Sequence, residues 1–209
     1  MKQTRNYAQN KTKKVAWIVS NCEAENDRQI YAETLQKYID VDIYGRCGTK
    51  NCSKKREWNK DSSSCLDLIS KEYKFYLSFE NSNCWDYITE KAYRNALSHD
   101  AIPIVLGARR EDYERQLPLN SFIYVEDFAT VKDLADYLHK VDQDDDLYNS
   151  YFQWKGTGEL LEKFEHLWCR VCALLHDEYT MNTPHWYEDI NKWWFDPKTM
   201  RRGFWRDIN

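Results

Sequence analysis

The stretch Tyr73-Lys-Phe-Tyr-Leu-Ser-Phe-Glu-Asn-Ser-Asn-Cys-Trp-Asp-Tyr-Ile-Thr-Glu-Lys91, with Ile102-Pro-Ile-Val-Leu-Gly107 after it, decides the fold. Residues 75–79 and 102–106 are short, nearly unbroken apolar runs, the pattern of strands buried on both faces. The residues between, from about 88 to 99, read as a helix. A strand, a helix and a second strand in that order make a crossover, and crossovers build parallel sheets. Working outward, residues 15–20 read as another buried strand. A helix at 26–39 carries Ile30, Leu35, Tyr38 and Ile39 on one side, and a short strand at 41–44 ends at Gly45. Residues 46–64 are polar and cysteine-bearing, which suggests a surface excursion. A helix around 65–73 leads into the central strand. Downstream come a charged helix near 110–116, a strand at 122–125, and a helix at 131–141 opened by the cap pair Thr130 and Asp133. After Trp154 the pattern turns helical and tryptophan-rich. The fold class is therefore α/β, a mostly parallel sheet with flanking helices.

Composition narrows the function. With 209 residues, one domain plus an extension is the simplest division. Thirty basic against thirty-four acidic residues give a net charge of −4, which argues against a nucleic-acid partner. Hydrophobic residues at 42% are enough for a packed core and exclude a disordered chain. The longest apolar runs are strand-sized, short of the roughly 20 residues that cross a bilayer, and the N-terminus holds no signal-peptide core.

Seven cysteines are many for a cytosolic chain of this length, and the odd number leaves at least one thiol free or paired outside it. Cys47, Cys52, Cys65 and Cys84 are candidates for local bridges whose connectivity the sequence leaves open. Asn10-Lys-Thr12 and Asn51-Cys-Ser53 are glycosylation sequons, with Asn10 and Asn51 as acceptors in a secretory compartment. Together these features favour a lumenal protein. Cys169-Arg-Val-Cys172 with His166 and His176 falls short of a structural zinc site, which needs four ligands on a suitable turn. Asp142-Gln-Asp-Asp-Asp146 is expected to be a solvated acidic helix end rather than a metal site. Trp193-Trp194 is expected in a packed C-terminal helix.

In an open parallel sheet, ligands bind beyond the carboxyl ends of the strands, where the strand order reverses. The residues there are Ser20-Asn21, Gly45-Arg46, Glu80-Asn81 and Gly107-Ala108. The richest is the segment from Glu80 to Lys91, whose end is expected to open a helix, with N–H groups and dipole favouring an anion. A Lys there neutralises phosphate and a Glu accepts hydrogen bonds from sugar hydroxyls. The same residues equally fit plain capping by Thr89 with Glu90 and Lys91 in solvent. Neither a dinucleotide fingerprint nor a P-loop is present.

These residues also carry a family resemblance. Tyr73-Lys-Phe-Tyr-Leu-Ser-Phe-Glu-Asn-Ser82, Asp86-Tyr-Ile-Thr-Glu-Lys91, Arg94-Asn-Ala-Leu97 and Ile102-Pro-Ile-Val-Leu-Gly107 resemble the signature of the α1,3-fucosyltransferases, glycosyltransferase family 10. Val15-Ala-Trp-Ile-Val-Ser-Asn-Cys22, Val41-Asp-Ile-Tyr-Gly45 and Tyr148-Asn-Ser-Tyr-Phe-Gln-Trp154 fit as well, so the likeness runs in order over about residues 14–195. Glu80-Asn-Ser-Asn-Cys84, Tyr151-Phe-Gln-Trp-Lys-Gly-Thr-Gly158 and Trp168-Cys-Arg-Val-Cys172 are most similar to the core enzymes, which attach fucose to the innermost GlcNAc of an N-glycan.

The resemblance implies the C-terminal, donor-binding half of a GT-B glycosyltransferase. Residues 1–13 would be the remnant of an inter-domain linker, 14–178 a GDP-fucose-binding Rossmann-like domain, and 179–209 a tryptophan-rich helical extension. The implied function is inverting transfer of L-fucose from GDP-fucose, in α1,3 linkage, to GlcNAc of a glycoprotein N-glycan. Arg28 would clamp the donor pyrophosphate. Asn81, Tyr87, Glu90 and Lys91 would contact GDP-fucose, Glu90 near the fucose hydroxyls and Lys91 on phosphate, with Ser20, Asn21 and Tyr73 as lesser nucleotide contacts. The general base would belong to an acceptor-side half without counterpart here, so this chain is expected to hold no catalytic base and to be weakly active or inactive alone. The resemblance also implies disulfides from Cys169 and Cys172 to that other half, no required metal, and manganese only as a stimulant. The expected location is the Golgi lumen, as a type II membrane protein when full length, its anchor lying outside these residues. Two further readings stay open: a Lewis-type enzyme acting on outer-arm GlcNAc, and a non-catalytic nucleotide-sugar-binding module.

Overall fold

The computed structural model describes residues 4–52, 65–158, 160, 167–183, 186–196 and 198–201. The first strand, β1 (Lys13–Ile18), leads through α1 (Arg28–Leu35) to β2 (Val41–Tyr44), and α2 (Cys65–Glu72) runs directly into β3 (Tyr73–Phe79). A short β4 (Asn83–Cys84) follows, then β5 (Ile102–Leu106), α3 (Arg110–Gln116), β6 (Ile123–Tyr124), α4 (Val131–Gln143) and α5 (Asp145–Ser150). The main sheet has the order β2-β1-β3-β5-β6 and every pairing in it is parallel, as the apolar runs implied. Register is fixed by Val15 opposite Val41, Phe75 opposite Ile102 and Ile104 opposite Ile123.

All seven residues of β3 are buried, as a central strand covered on both faces requires. Phe75, Leu77 and Phe79 face one layer, with Ala32, Leu35, Leu134 and Leu138 from α1 and α4. Tyr73 and Tyr76 face the other, with Ile69 from α2 and Ala96. The capping box of Thr130 and Asp133 opens α4 as its sequence predicts.

Several expectations are corrected. The helix predicted over 88–99 begins only at Lys91, as a π-helix (Lys91–Ala96) that tightens into a 3-10 turn (Leu97–His99). Its entry residues are held by the Glu80 side chain instead, described below. In the N-terminal segment, Tyr7 stacks on Phe152 at 4.5 Å, and the buried Lys11 ammonium donates to the carbonyls of Tyr73 (2.9 Å) and Asp100 (2.5 Å). Burial pushes the Lys11 pKa down to about 7, with Asp100 opposing it. The described part of the extension is only partly helical. Helix α6 (Leu167–Leu175) before it, and α7 (Glu178–Asn182) and α8 (Ile190–Trp194), have no buried residues, and Trp193 and Trp194 remain 41% and 47% exposed. The chain then forms β7 (Met200–Arg201), antiparallel to β4. Residues 202–209 lie outside the described residues.

Of the surface excursion, residues 53–64 lie outside the described residues; what flanks them is pinned by disulfides Cys22–Cys47 and Cys52–Cys65. Cys84 was expected in a local bridge. It is a free thiol, because its presumed partners take Cys22 and each other, and β4 carries it to the second sheet. Cys169 and Cys172 are exposed and unpaired within this chain. Asn10 and Asn51 are exposed; Ser53 of the second sequon lies outside the described residues.

Asp142 is not solvated. The helical period of α4 turns it against the sheet, where it pairs with Lys14 and with Lys74, the latter at 3.1 Å. Asp144 is engaged too, capping α5 at Leu147 N–H (2.9 Å). Burial acts to raise the Asp142 pKa, but the bonds from Lys14 and Lys74 prevail and hold its carboxyl below the usual range. A carboxylate with a depressed folded pKa adds stability above its unfolded pKa of about 3.9, and that stability is lost as pH falls through the folded value. Asp142→Asn should cost about 3 kcal/mol at pH 7, since it leaves the buried Lys74 charge uncompensated. In denaturant titrations the gap to the unmodified chain should close below about pH 4; a gap that ignores pH would contradict this ion pair.

Candidate functional site

The path from β1 goes out to β2 and returns to β3 on the opposite side of β1, so the strand order reverses between β1 and β3. Their carboxyl ends open the crevice at which doubly wound sheets take ligands. Arg28, the first residue of α1, occupies its floor. Asp27 before it adopts a left-handed conformation (φ 56°), which turns the chain into the helix. The Arg28 side chain is buried, with Nη1 donating to the Phe79 carbonyl at 2.7 Å and Nη2 to the Asn21 carbonyl at 2.9 Å. The guanidinium also lies 5.6 Å from the Trp17 ring centroid. It thus ties the end of β3 to the end of β1.

Both of those bonds go to neutral carbonyls. Among the described residues no carboxylate lies within ion-pair distance of Arg28, and its buried Nε has no partner. Burial pushes the Arg28 pKa down, with Glu80 opposing, yet a guanidinium stays protonated in a protein. The floor of the crevice therefore holds a buried positive charge whose Nε–H has no partner. Asn26 adds a second tie, donating from Nδ2 to the Glu80 carbonyl and to Asn83 Oδ1, both at 3.0 Å.

Glu80 follows β3 directly and is 1% exposed. Its carboxylate accepts from Thr89 N–H at 2.8 Å, from the Thr89 hydroxyl at 2.9 Å and from Lys91 Nζ at 2.6 Å. Burial pushes the Glu80 carboxyl above its ordinary range, against the pull of Lys91 and Thr89. Gly107 permits this close fit: at φ +141° a Cβ there would stand 2.6 Å from Cβ of Glu80. Lys91 is held further by the Thr89 hydroxyl at 2.7 Å and lies 3.5 Å from Glu90, which is 58% exposed.

The structure thus brings Asn21, Arg28 and Lys91 to the strand ends, with Asn81, Tyr87 and Glu90 on the loop between β3 and the π-helix. Ser20 sits on the exposed rim above Gly45. Asn21 bonds through its backbone carbonyl, while its side chain accepts from Glu23 N–H at 3.3 Å. Arg28 is buried, with both Nη groups bonded to backbone carbonyls and Nε without a partner. Tyr73 is not part of the site. It starts β3, six residues or about 20 Å from Phe79, and its hydroxyl bonds Asp42 and the Tyr44 hydroxyl. Glu80 and Asn26 are the participants that the sequence reading passed over. Glu80 stood at a strand end, but nothing in the sequence signals that Lys91 folds back onto it.

Lys91 and Glu80 are therefore coupled, which excludes plain capping in solvent. Lys91→Ala leaves a buried carboxylate unpaired and should cost about 3 kcal/mol, whereas Glu80→Leu with Lys91→Met should recover much of that loss. Melting curves and denaturant titrations decide it. A single substitution that costs under about 0.5 kcal/mol would mean the pair is not formed.

With this geometry in place, comparison with known proteins is informative. Residues 8–193 match the model for glycosyltransferase family 10 (fucosyltransferase), C-terminal part. The chain is 53% identical over 203 residues to glycoprotein 3-alpha-L-fucosyltransferase A of Drosophila melanogaster, covering 97% of this chain and 39% of that protein. It is 43% identical to the human 3-galactosyl-N-acetylglucosaminide 4-alpha-L-fucosyltransferase, covering 83% of this chain and 45% of that one. A crystal structure of an alpha1,3-fucosyltransferase with GDP-fucose superposes with a TM-score of 0.55 at 21% identity, over 83% of this chain and 50% of that one. Another crystal structure of an alpha1,3-fucosyltransferase gives 0.57 at 20% identity, over 88% and 50%. The chain thus spans half or less of the proteins it matches, and the solved structures support its fold. On the family match and the 53% identity, the chain belongs to glycosyltransferase family 10, the fucosyltransferases, and corresponds to their C-terminal part.

Proposed function

We propose that this chain is the GDP-fucose-binding half of an α1,3-fucosyltransferase. The observation that carries the reading is the Arg28 guanidinium, buried at the strand-order switch with no carboxylate partner among the described residues. A desolvated, unneutralised cation at that place is a preorganised anchor for a diphosphate. Its unpartnered Nε–H and the Lys91 ammonium give the departing GDP hydrogen bonds that strengthen as the C1–O bond of fucose breaks. Glu90, exposed at the entrance of the π-helix, suits the fucose hydroxyls. Ser20, Asn21, Asn81 and Tyr87 complete the rim.

In this reading the reaction is inverting. An acceptor GlcNAc hydroxyl attacks C1 opposite the leaving GDP, and its proton passes to a base supplied by the rest of the enzyme, as the family resemblance implies; the buried Glu80 is engaged by Lys91 and Thr89. This half alone binds donor and turns it over weakly or not at all. The acceptor is a glycoprotein N-glycan at its innermost GlcNAc, a choice supported by the 53% identity to a glycoprotein fucosyltransferase. Relatives at 43% that are named for galactosyl-N-acetylglucosaminide acceptors support the outer-arm alternative. We place the full-length enzyme in the Golgi lumen, held by an N-terminal anchor, with Cys169 and Cys172 bridged to its other half and glycans on Asn10 and Asn51. The acidic run 142–146 does not fit a manganese ion, because Asp142 is committed to Lys14 and Lys74 and Asp144 to a helix cap.

Calorimetric titration of the folded chain should show GDP binding at least about 10-fold tighter than GMP, the signature of a diphosphate anchor. A folded chain that binds neither, or both equally, would refute the donor assignment. In the full-length enzyme, Glu90→Ala should lower turnover with GDP-fucose without moving the melting temperature. Assays on core-exposed N-glycan against N-acetyllactosamine separate the two acceptor readings.

A further inference from the structure

The loop that carries Tyr87, Thr89 and Glu90 is gripped from two sides. On one side stands α3. The Asp86 N–H donates to Asp112 Oδ2 at 3.1 Å, the Asp86 carboxylate accepts from Arg115 and from Gln116 Nε2, and Arg109 lies 4.0 Å over the Trp85 ring. On the other side the C-terminal segment returns. Asn83 and Cys84 pair with Arg201 and Met200, and the Trp85 N–H donates to the Thr199 carbonyl at 2.9 Å. Trp194 meets the Tyr87 ring edge-on, with centroids 6.4 Å apart and planes at 78°.

These C-terminal contacts add little to the core. No residue of α8 is buried, Trp194 is 47% exposed, and β7 is two half-buried residues long. Their effect falls on the loop they touch. Asp86 in that loop holds a left-handed conformation (φ 56°), a local cost that the flanking grips must offset. The grip of α3 reaches Trp85 and Asp86. For the ring of Tyr87, three residues beyond Cys84, the described aromatic contact is Trp194.

We propose that the C-terminal segment 190–201 is a strap that positions the donor loop. Trp194 acts as a positioning residue: through Tyr87 it keeps the loop in the conformation in which Thr89 and Lys91 engage Glu80, and so sets donor affinity. The consequence for affinity rests on the donor reading above; the effect on the loop does not. The rim of the site is thereby completed by residues more than a hundred positions from Tyr87 in sequence, which makes loop order dependent on a surface segment instead of the core.

The test uses the 209-residue chain, its Trp194→Ala and Trp194→Phe variants, amide hydrogen exchange, and GDP as the probe. In Trp194→Ala, the amides of Trp85 and Thr89 should exchange roughly 3- to 10-fold faster, and the GDP dissociation constant should rise by a similar factor. The melting temperature should hold, since the side chain is half exposed. Trp194→Phe keeps an edge-on aromatic contact and should restore both readings. Unchanged exchange in Trp194→Ala overturns the strap whatever GDP does. Faster exchange with unchanged GDP affinity overturns the link to the donor. If the unmodified chain binds no GDP, the donor reading fails, and the exchange data still decide whether the segment orders the loop.

Discussion

The arrangement depends on one buried charge. Arg28 reaches from the first turn of α1 to the backbone at the ends of β1 and β3, and it joins two strand ends from which the chain departs in opposite directions. Burying a guanidinium is costly, and here the compensation comes from two carbonyls and the face of Trp17 instead of a carboxylate. An engaged carboxylate would stabilise the site better and would also neutralise it. The crevice keeps its charge because the nearest acid, Glu80, is occupied by Lys91 and Thr89. The two basic residues thus differ: Lys91 pairs with the buried acid, and Arg28 keeps its charge without a carboxylate partner among the described residues.

That difference explains the local oddities around β3. The turn into the π-helix is capped from across the crevice by Glu80, so the loop does not cap itself. Gly107 has no side chain because Glu80 needs the room. Asn26 ties the Glu80 backbone to Asn83 and so fixes where the loop starts. The loop's far end is held by α3 and by the returning tail, elements that have no part in the main sheet. Packed core ends and polar ties hold the floor rigid, while the rim is assembled from weaker surface contacts.

Much of this was legible in the sequence. Two unbroken apolar runs flanking a helical segment were enough for a parallel sheet, because only strands covered on both faces tolerate such runs. Strand ends are where chemistry collects, so Asn21 and the 80–91 segment could be singled out from the strand pattern, whereas Arg28 was pointed to only by the family resemblance. What could not be read were contacts between distant residues of like local character. Tyr73 stands beside the motif in sequence, yet β3 carries it to the opposite end of the sheet. Asp142 belongs to a run that looks solvated, and only the helical phase of α4 shows that it faces Lys14 and Lys74. The tryptophans of α8 suggested packing, whereas the structure leaves both half exposed, with Trp194 against the ring of Tyr87.

The central claim is that the unpartnered Nε–H of Arg28 meets a diphosphate, and nuclear magnetic resonance of the arginine Nε–H groups tests it most directly. Adding GDP to the chain should shift the Arg28 Nε–H signal and slow its exchange with water, while guanosine should leave it unchanged, and Arg109 and Arg115, engaged by carboxylates on α3, should not respond to either. An Arg28 signal that stays fixed while GDP demonstrably binds would contradict the account and leave Arg28 as a purely structural strut.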